Sequence, residues 1–217
     1  MSFFDSIPKP PPPQPQREIR HPWQRPHHLI PASVPADIVL IRTDRVAVAV
    51  GNLRSYPNGF EFTVNVRSRI RDDSFGSDAD PFHRHRIGGD DPGLDQVLRF
   101  GVQYADGRRA ATTRWPPPRP GDENELHLQV NGGGGSWQDW HQNFWLAPLP
   151  PAGPVTFVAS WLAYEAPEAT AVIDGAAIRA AADRAFELWP EEPPVESHAS
   201  WNSQTISASR PDQASEK

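Results

Sequence analysis

The segment Tyr56-Pro57-Asn58-Gly59 followed by Phe60-Glu61-Phe62-Thr63-Val64-Asn65-Val66-Arg67-Ser68-Arg69-Ile70 constrains the fold more than any other. Apolar residues fall at 60, 62, 64, 66 and 70, with polar or charged residues mostly between them. Successive side chains leave a strand on opposite faces, so this alternation predicts a half-buried strand. The preceding Asn58-Gly59 supplies two residues tolerant of positive φ, as a tight hairpin turn requires. In the register set by that turn, Leu53 faces Val64, Ser55 faces Phe62 and Val50 opposes Arg67. Val46 and Val48 then point away from Phe62, Val64 and Val66. One extra residue near Gly51-Asn52 restores a single apolar face, so the spacing predicts a β-bulge there.

The same period recurs along the chain. Strands are predicted at 38–41, 45–53 and 97–104, the last closed by Asp106-Gly107 into 108–113. Leu126, Leu128 and Val130 mark a short strand ending at Gly132-Gly133-Gly134-Gly135, read as a flexible connection. Further strands are expected at 142–149, 155–164 and 171–173. One helix is predicted over 174–189, with Asp174 as N-cap, Ile178, Ala182, Ala185 and Trp189 at helical spacing, and Pro190 as its stop. The expected fold is all-β: an antiparallel immunoglobulin-like β-sandwich of about 7–9 strands with one C-terminal helix.

Ten of the 26 prolines precede Asp37, and Pro10-Pro11-Pro12-Pro13 favours extended polyproline II, which buries little. Residues 191–217 are polar and aperiodic. The expected organisation is a disordered Pro-rich tail at 1–36, a sandwich domain at 37–190 and a disordered polar tail at 191–217. Net charge is −6 without a basic stripe, which argues against nucleic acid as a partner. With no cysteine, disulfides, thiolate catalysis and cysteine metal sites are all excluded. No apolar run approaches the length of a spanning helix, and the start Met1-Ser2-Phe3-Phe4-Asp5 lacks the n- and h-regions of an export signal. A cytoplasmic protein without membrane insertion is expected.

Leu98-Arg99-Phe100-Gly101-Val102, Asp106-Gly107, the glycine run and Phe144-Trp145-Leu146-Ala147-Pro148-Leu149-Pro150-Pro151 resemble an uncharacterised protein family of GC-rich bacteria. Gly153-Pro154, Phe157-Val158, Trp161 and the closing Leu188-Trp189-Pro190 extend the resemblance to most of the region between residues 25 and 190. It implies a coherent domain and no catalytic residues.

Few residues point to chemistry. Asp78, Asp80, His83 and His85 share one loop with Asp72 and Asp73, and carboxylates with a His-x-His pair suit metal ions. Arg71, Arg84 and Arg86 are interleaved with them and repel cations, so these are weak metal candidates. The glycine run lacks the Gly-Lys-Ser/Thr and helix of a phosphate loop. Neither Gly-x-Ser-x-Gly nor His-Glu-x-x-His occurs, so no enzyme class and no cofactor is indicated. Among the aromatics, Trp145 and Trp161 sit within predicted strands and read as core. Trp137, Trp140 and His141 flank the glycine run and are the candidate binding residues. The expected function is a non-catalytic intracellular protein-interaction module. Its alternative is a small-ligand or carbohydrate-binding sandwich using Trp137 and Trp140, and an enzyme with a non-local active site is a distant third.

Overall fold

A computed structural model of the chain describes residues 21–69, 81–82, 96–112, 125–136 and 138–190. Twelve strands and one helix follow in chain order: β1 Leu29–Ile30, β2 Ala32–Ser33, β3 Ile38–Arg42, β4 Val46–Tyr56, β5 Gly59–Ser68, β6 Arg99–Gln103, β7 Arg109–Ala111, β8 His127–Gly135, β9 Asp139–Ala147, β10 Pro154–Trp161, β11 Ala166–Asp174, α1 Gly175–Ala182 and β12 Phe186–Glu187. One sheet runs β2-β4-β5-β9-β8, with β3 also pairing β4; a second runs β11-β10-β6-β7. All pairings are antiparallel. The hairpins β4–β5, β6–β7, β8–β9 and β10–β11 alternate between the two sheets, an order unlike the ABED and CFG sheets of an immunoglobulin domain. The all-β sandwich stands.

Its two inner faces meet through phenylalanine. Phe60, Phe62 and Phe144 of the larger sheet pack with Phe100 and Phe157 of the smaller, every one at most 2% exposed. Phe62 reaches across the layer, with ring centroids 5.3 Å from Phe157 and 5.7 Å from Phe100. Behind it, Val64, Val66, Val48 and Val50 continue the same face. Trp161 is buried in the same core, while Trp145 is buried on the other side of the larger sheet, against Tyr56 and Ala147.

The bulge near Gly51 is present: pairing shifts between Gly51 and Arg54, so Asn52 and Leu53 together oppose Phe62. Asn52 takes φ +54, the left-handed region that Asn tolerates. The hairpin turn, however, is centred on Pro57 and Asn58, because Tyr56 pairs Gly59 and Ser55 pairs Phe60. Gly59 is needed for space, not for its φ. A Cβ there would lie 2.6 Å from both the Leu146 carbonyl oxygen and the Trp145 ring.

Helix α1 is shorter than the spacing predicted. Asp174 caps it, accepting from the Ala176 amide at 2.8 Å, and Ile178 and Ala181 are fully buried. It ends at Ala182 because Phe186 and Glu187 are drawn into pairing with Ile30 and Leu29.

Residues 21–36, assigned to the tail on their proline content, belong to the folded unit. The Trp23 carbonyl accepts from Trp145 Nε1 at 2.7 Å, and Asn58 Nδ2 donates to the carbonyls of Pro22 and Gln24. Arg25 pairs with Glu61 at 2.8 Å, and the Trp23 ring stacks between His21 and His127. This strap seals one end of the larger sheet's outer face. Residues 1–20 and 191–217 lie outside the described residues. A chain beginning at residue 37 loses this seal and exposes Trp145 and Glu61. Its thermal midpoint should fall by roughly 10 °C or more, given several kcal/mol of lost burial and charge pairing. A chain beginning at residue 21 should melt within a degree or two of full length.

Candidate functional site

The glycine run is strand, not connection. Gly133, Gly134 and Gly135 pair with Gln142, His141 and Trp140 as the outer half of β8. A two-against-one bulge sets Asn131 and Gly132 against Asn143, and Gly132 adopts φ +85 to make it. The carbonyl this bulge displaces is met by the buried Gln142, whose Nε2 donates to Gly132 at 2.7 Å. Gly133 and Gly135 are required by close approach, since a Cβ would lie 2.7 Å from the His141 carbonyl oxygen and 2.0 Å from that of Asp139, respectively. Gly134 has nothing within 4 Å, so the fold makes no demand on it. Ser136 and Asp139 exchange backbone hydrogen bonds and close the hairpin.

β8 ends the larger sheet. Among the described residues no strand pairs with its outer edge, and Gln129 through Gly133 are exposed. Its nine residues, His-Leu-Gln-Val-Asn-Gly-Gly-Gly-Gly, contain no lysine, no acid and no proline. Those are the residues that natural edges use to repel another chain.

The candidate binding residues divide across this hairpin. Trp140 pairs with Val66 and Gly135, in the row that faces the core, and packs half-buried against it. Its Nε1 is buried without a partner. His141, one residue on, points to the opposite face beside Asn65 and Gly134, and it is exposed. The two do not form a joint surface. Trp137 lies outside the described residues, as do Asp78, Asp80, His83 and His85. Among the described residues no group of three or more His, Cys, Asp or Glu side chains gathers where a metal ion could be held.

No family model, curated protein or solved structure matches the chain.

A polar cluster that sequence reasoning missed occupies the larger sheet's outer face. The Glu61 carboxylate is buried, with Arg25 at 2.8 Å, Arg54 at 2.7 Å and the Tyr56 hydroxyl donating at 3.3 Å. Burial first, and then the negative charge of Glu61, raise the Tyr56 phenol above its ordinary range. Tyr56 therefore stays a neutral donor. Beside this group a cavity of about 100 Å³ is lined by Asn52, Thr63, Asn131 and Asn143. The one sequence signal was a carboxylate set between two core phenylalanines. With two guanidinium partners the carboxylate is neutralised internally, and the cluster fastens the 21–25 strap.

The placement of Trp140 separates packing from recognition. Trp140→Ala should destabilise by about 2 kcal/mol, less than a fully buried ring costs because part of this one remains exposed. Trp140→Phe keeps the ring and removes the orphaned donor, and should cost under about 1 kcal/mol. Urea denaturation of both variants distinguishes the cases; equal losses would show that the indole N–H is satisfied after all.

Proposed function

We propose that the protein is a non-catalytic interaction module whose partner, an intracellular protein, adds an extended segment to the open edge of β8. The observation that carries this reading is the edge itself, which no described strand pairs and which holds no lysine, acid or proline. Alternate residues of this nine-residue strand present outward N–H and C=O groups. Strand addition draws affinity from main-chain hydrogen bonds, each worth about 0.5–1.5 kcal/mol net. Four or five such bonds supply about 2–7 kcal/mol, less than the roughly 8 kcal/mol of micromolar binding, so side-chain contacts of the added strand supply the remainder. The bulge at Asn131–Gly132 interrupts the edge, so the partner pairs with the stretches on either side of it. His141 lies one strand in from the Gly133–Gly135 stretch and is available to a side chain on the added strand.

The carbohydrate alternative draws less support. A sugar platform needs an exposed flat ring, and Trp140 turns its ring toward the core. Among the described residues no helix is long and apolar enough to cross a membrane.

The edge can be closed without touching the core. Val130 is 53% exposed and Gly134 has open space around it, so lysine fits at both. Val130→Lys/Gly134→Lys should keep the wild-type melting temperature and lose the proteins that immobilised wild type retains from a cytoplasmic extract. An unchanged set of retained proteins, or none retained by wild type, would refute the reading.

A further inference from the structure

The outer face of the smaller sheet carries a second surface, on the opposite side of the sandwich from the 21–25 strap. Register places its outward side chains in three rows. Arg99 stands beside Ser160, Ala111 beside Gly101 and Val158, and Arg109 beside Gln103 and Thr156. The middle row is short and the outer rows are long, which leaves an open groove of about 720 Å³ with Gly101, Ala111 and Val158 as its floor. Among the described residues only Glu168 on β11 brings a carboxylate to the lining. It flanks Ser160 on the side away from Arg99, two strand spacings or about 10 Å off.

Among the described residues the two arginines at the ends of this groove carry no ion pair, unlike four others in the fold. Arg25 and Arg54 are neutralised by Glu61, Arg67 by Asp139 and Arg108 by Asp106. Among the described residues neither Arg99 nor Arg109 has an acidic partner. Arg99 is nevertheless held in place. Its Nε donates to the hydroxyl of Ser160 at 3.0 Å, and Ser160 is only 5% exposed. That leaves both terminal nitrogens of a pre-oriented guanidinium for a two-pronged bond to a carboxylate.

We propose that this groove binds an extended peptide segment bearing two carboxylates four residues apart. Arg99 and the Arg109–Gln103 row are separated by four residues of strand, about 13 Å at strand rise. An extended ligand covers the same span in four residues, and an even spacing puts both of its acids on one face. The low floor accepts the small or β-branched side chains between them. Among the described residues no exposed aromatic ring lines the groove to serve as a stacking platform for a base or a sugar; Phe100 is buried beneath it. The groove and the β8 edge lie on different sheets, so this inference does not depend on the strand-addition reading.

The test is an NMR titration of the full ¹⁵N-labelled chain at low salt with the blocked peptide Glu-Thr-Val-Thr-Glu. Saturable shifts are expected at Gly101, Gln103, Ala111 and Val158. Arg99→Gln and Arg109→Gln should each weaken binding about tenfold, the usual loss for one charge-assisted contact. Arg109→Gln leaves the Ser160 contact untouched, and the spectrum itself reports whether each variant is folded. Equal binding of Gln-Thr-Val-Thr-Gln would overturn the proposal, as would shifts elsewhere or none at several millimolar peptide. Inorganic phosphate matching the peptide would reduce the site to a general anion site, and tighter binding of an oligouronate would assign it to glycans; either result overturns the peptide assignment.

Discussion

The structure depends on one ring. Phe62 lies within 5.7 Å, centroid to centroid, of Phe60 and Phe144 in its own sheet and of Phe100 and Phe157 in the other. Removing a buried aromatic costs about 3–5 kcal/mol. That is a large share of the roughly 5–15 kcal/mol by which a domain is stable. Because this cluster holds the sheets face to face, neither the outer edge of β8 nor the outer face of the smaller sheet has to contribute to folding. Function is therefore free to use both.

The strands were largely legible because period-two alternation is a direct consequence of pleating. The bulge at Gly51–Asn52 was legible for the same reason: without it, valines on β4 and phenylalanines on β5 cannot share a face. What misled was glycine. Asn58-Gly59 carries the signature of a turn that needs positive φ, yet Gly59 is there because the Trp145 ring and Leu146 carbonyl leave no room for a Cβ. Likewise the run at 132–135 looks like a flexible link. Three of its members are dictated by one bulge and two close approaches within a paired strand. A glycine's reason lies in what surrounds it, and a single sequence does not display its surroundings. Helical spacing overextends the helix on a similar ground, since the pairing of Phe186 and Glu187 with β1 is a long-range competitor that spacing cannot register.

The candidate site was legible in place and not in orientation. The β8–β9 hairpin was singled out from its glycines and aromatics. The facing of Trp140 depends on register with Val66 on the adjacent strand β5, a residue far from it in sequence. The groove was beyond reach altogether. Its floor comes from positions 101, 111 and 158, which are unremarkable singly and become a trough only when β6, β7 and β10 lie side by side.

The central claim is that β8 presents an edge that no described strand pairs, interrupted only by its bulge, while β5 is the protected centre of its sheet. Residue-resolved amide hydrogen exchange tests it most directly. Along β5, flanked by β4 and β9, nearly every amide should exchange slowly, near the rate set by global unfolding. Along β8, protection should alternate: amides bonded to β9 exchange slowly, and those pointing outward exchange at close to unprotected rates. Uniform protection along β8, matching β5, would show that its edge is already covered and would contradict the account.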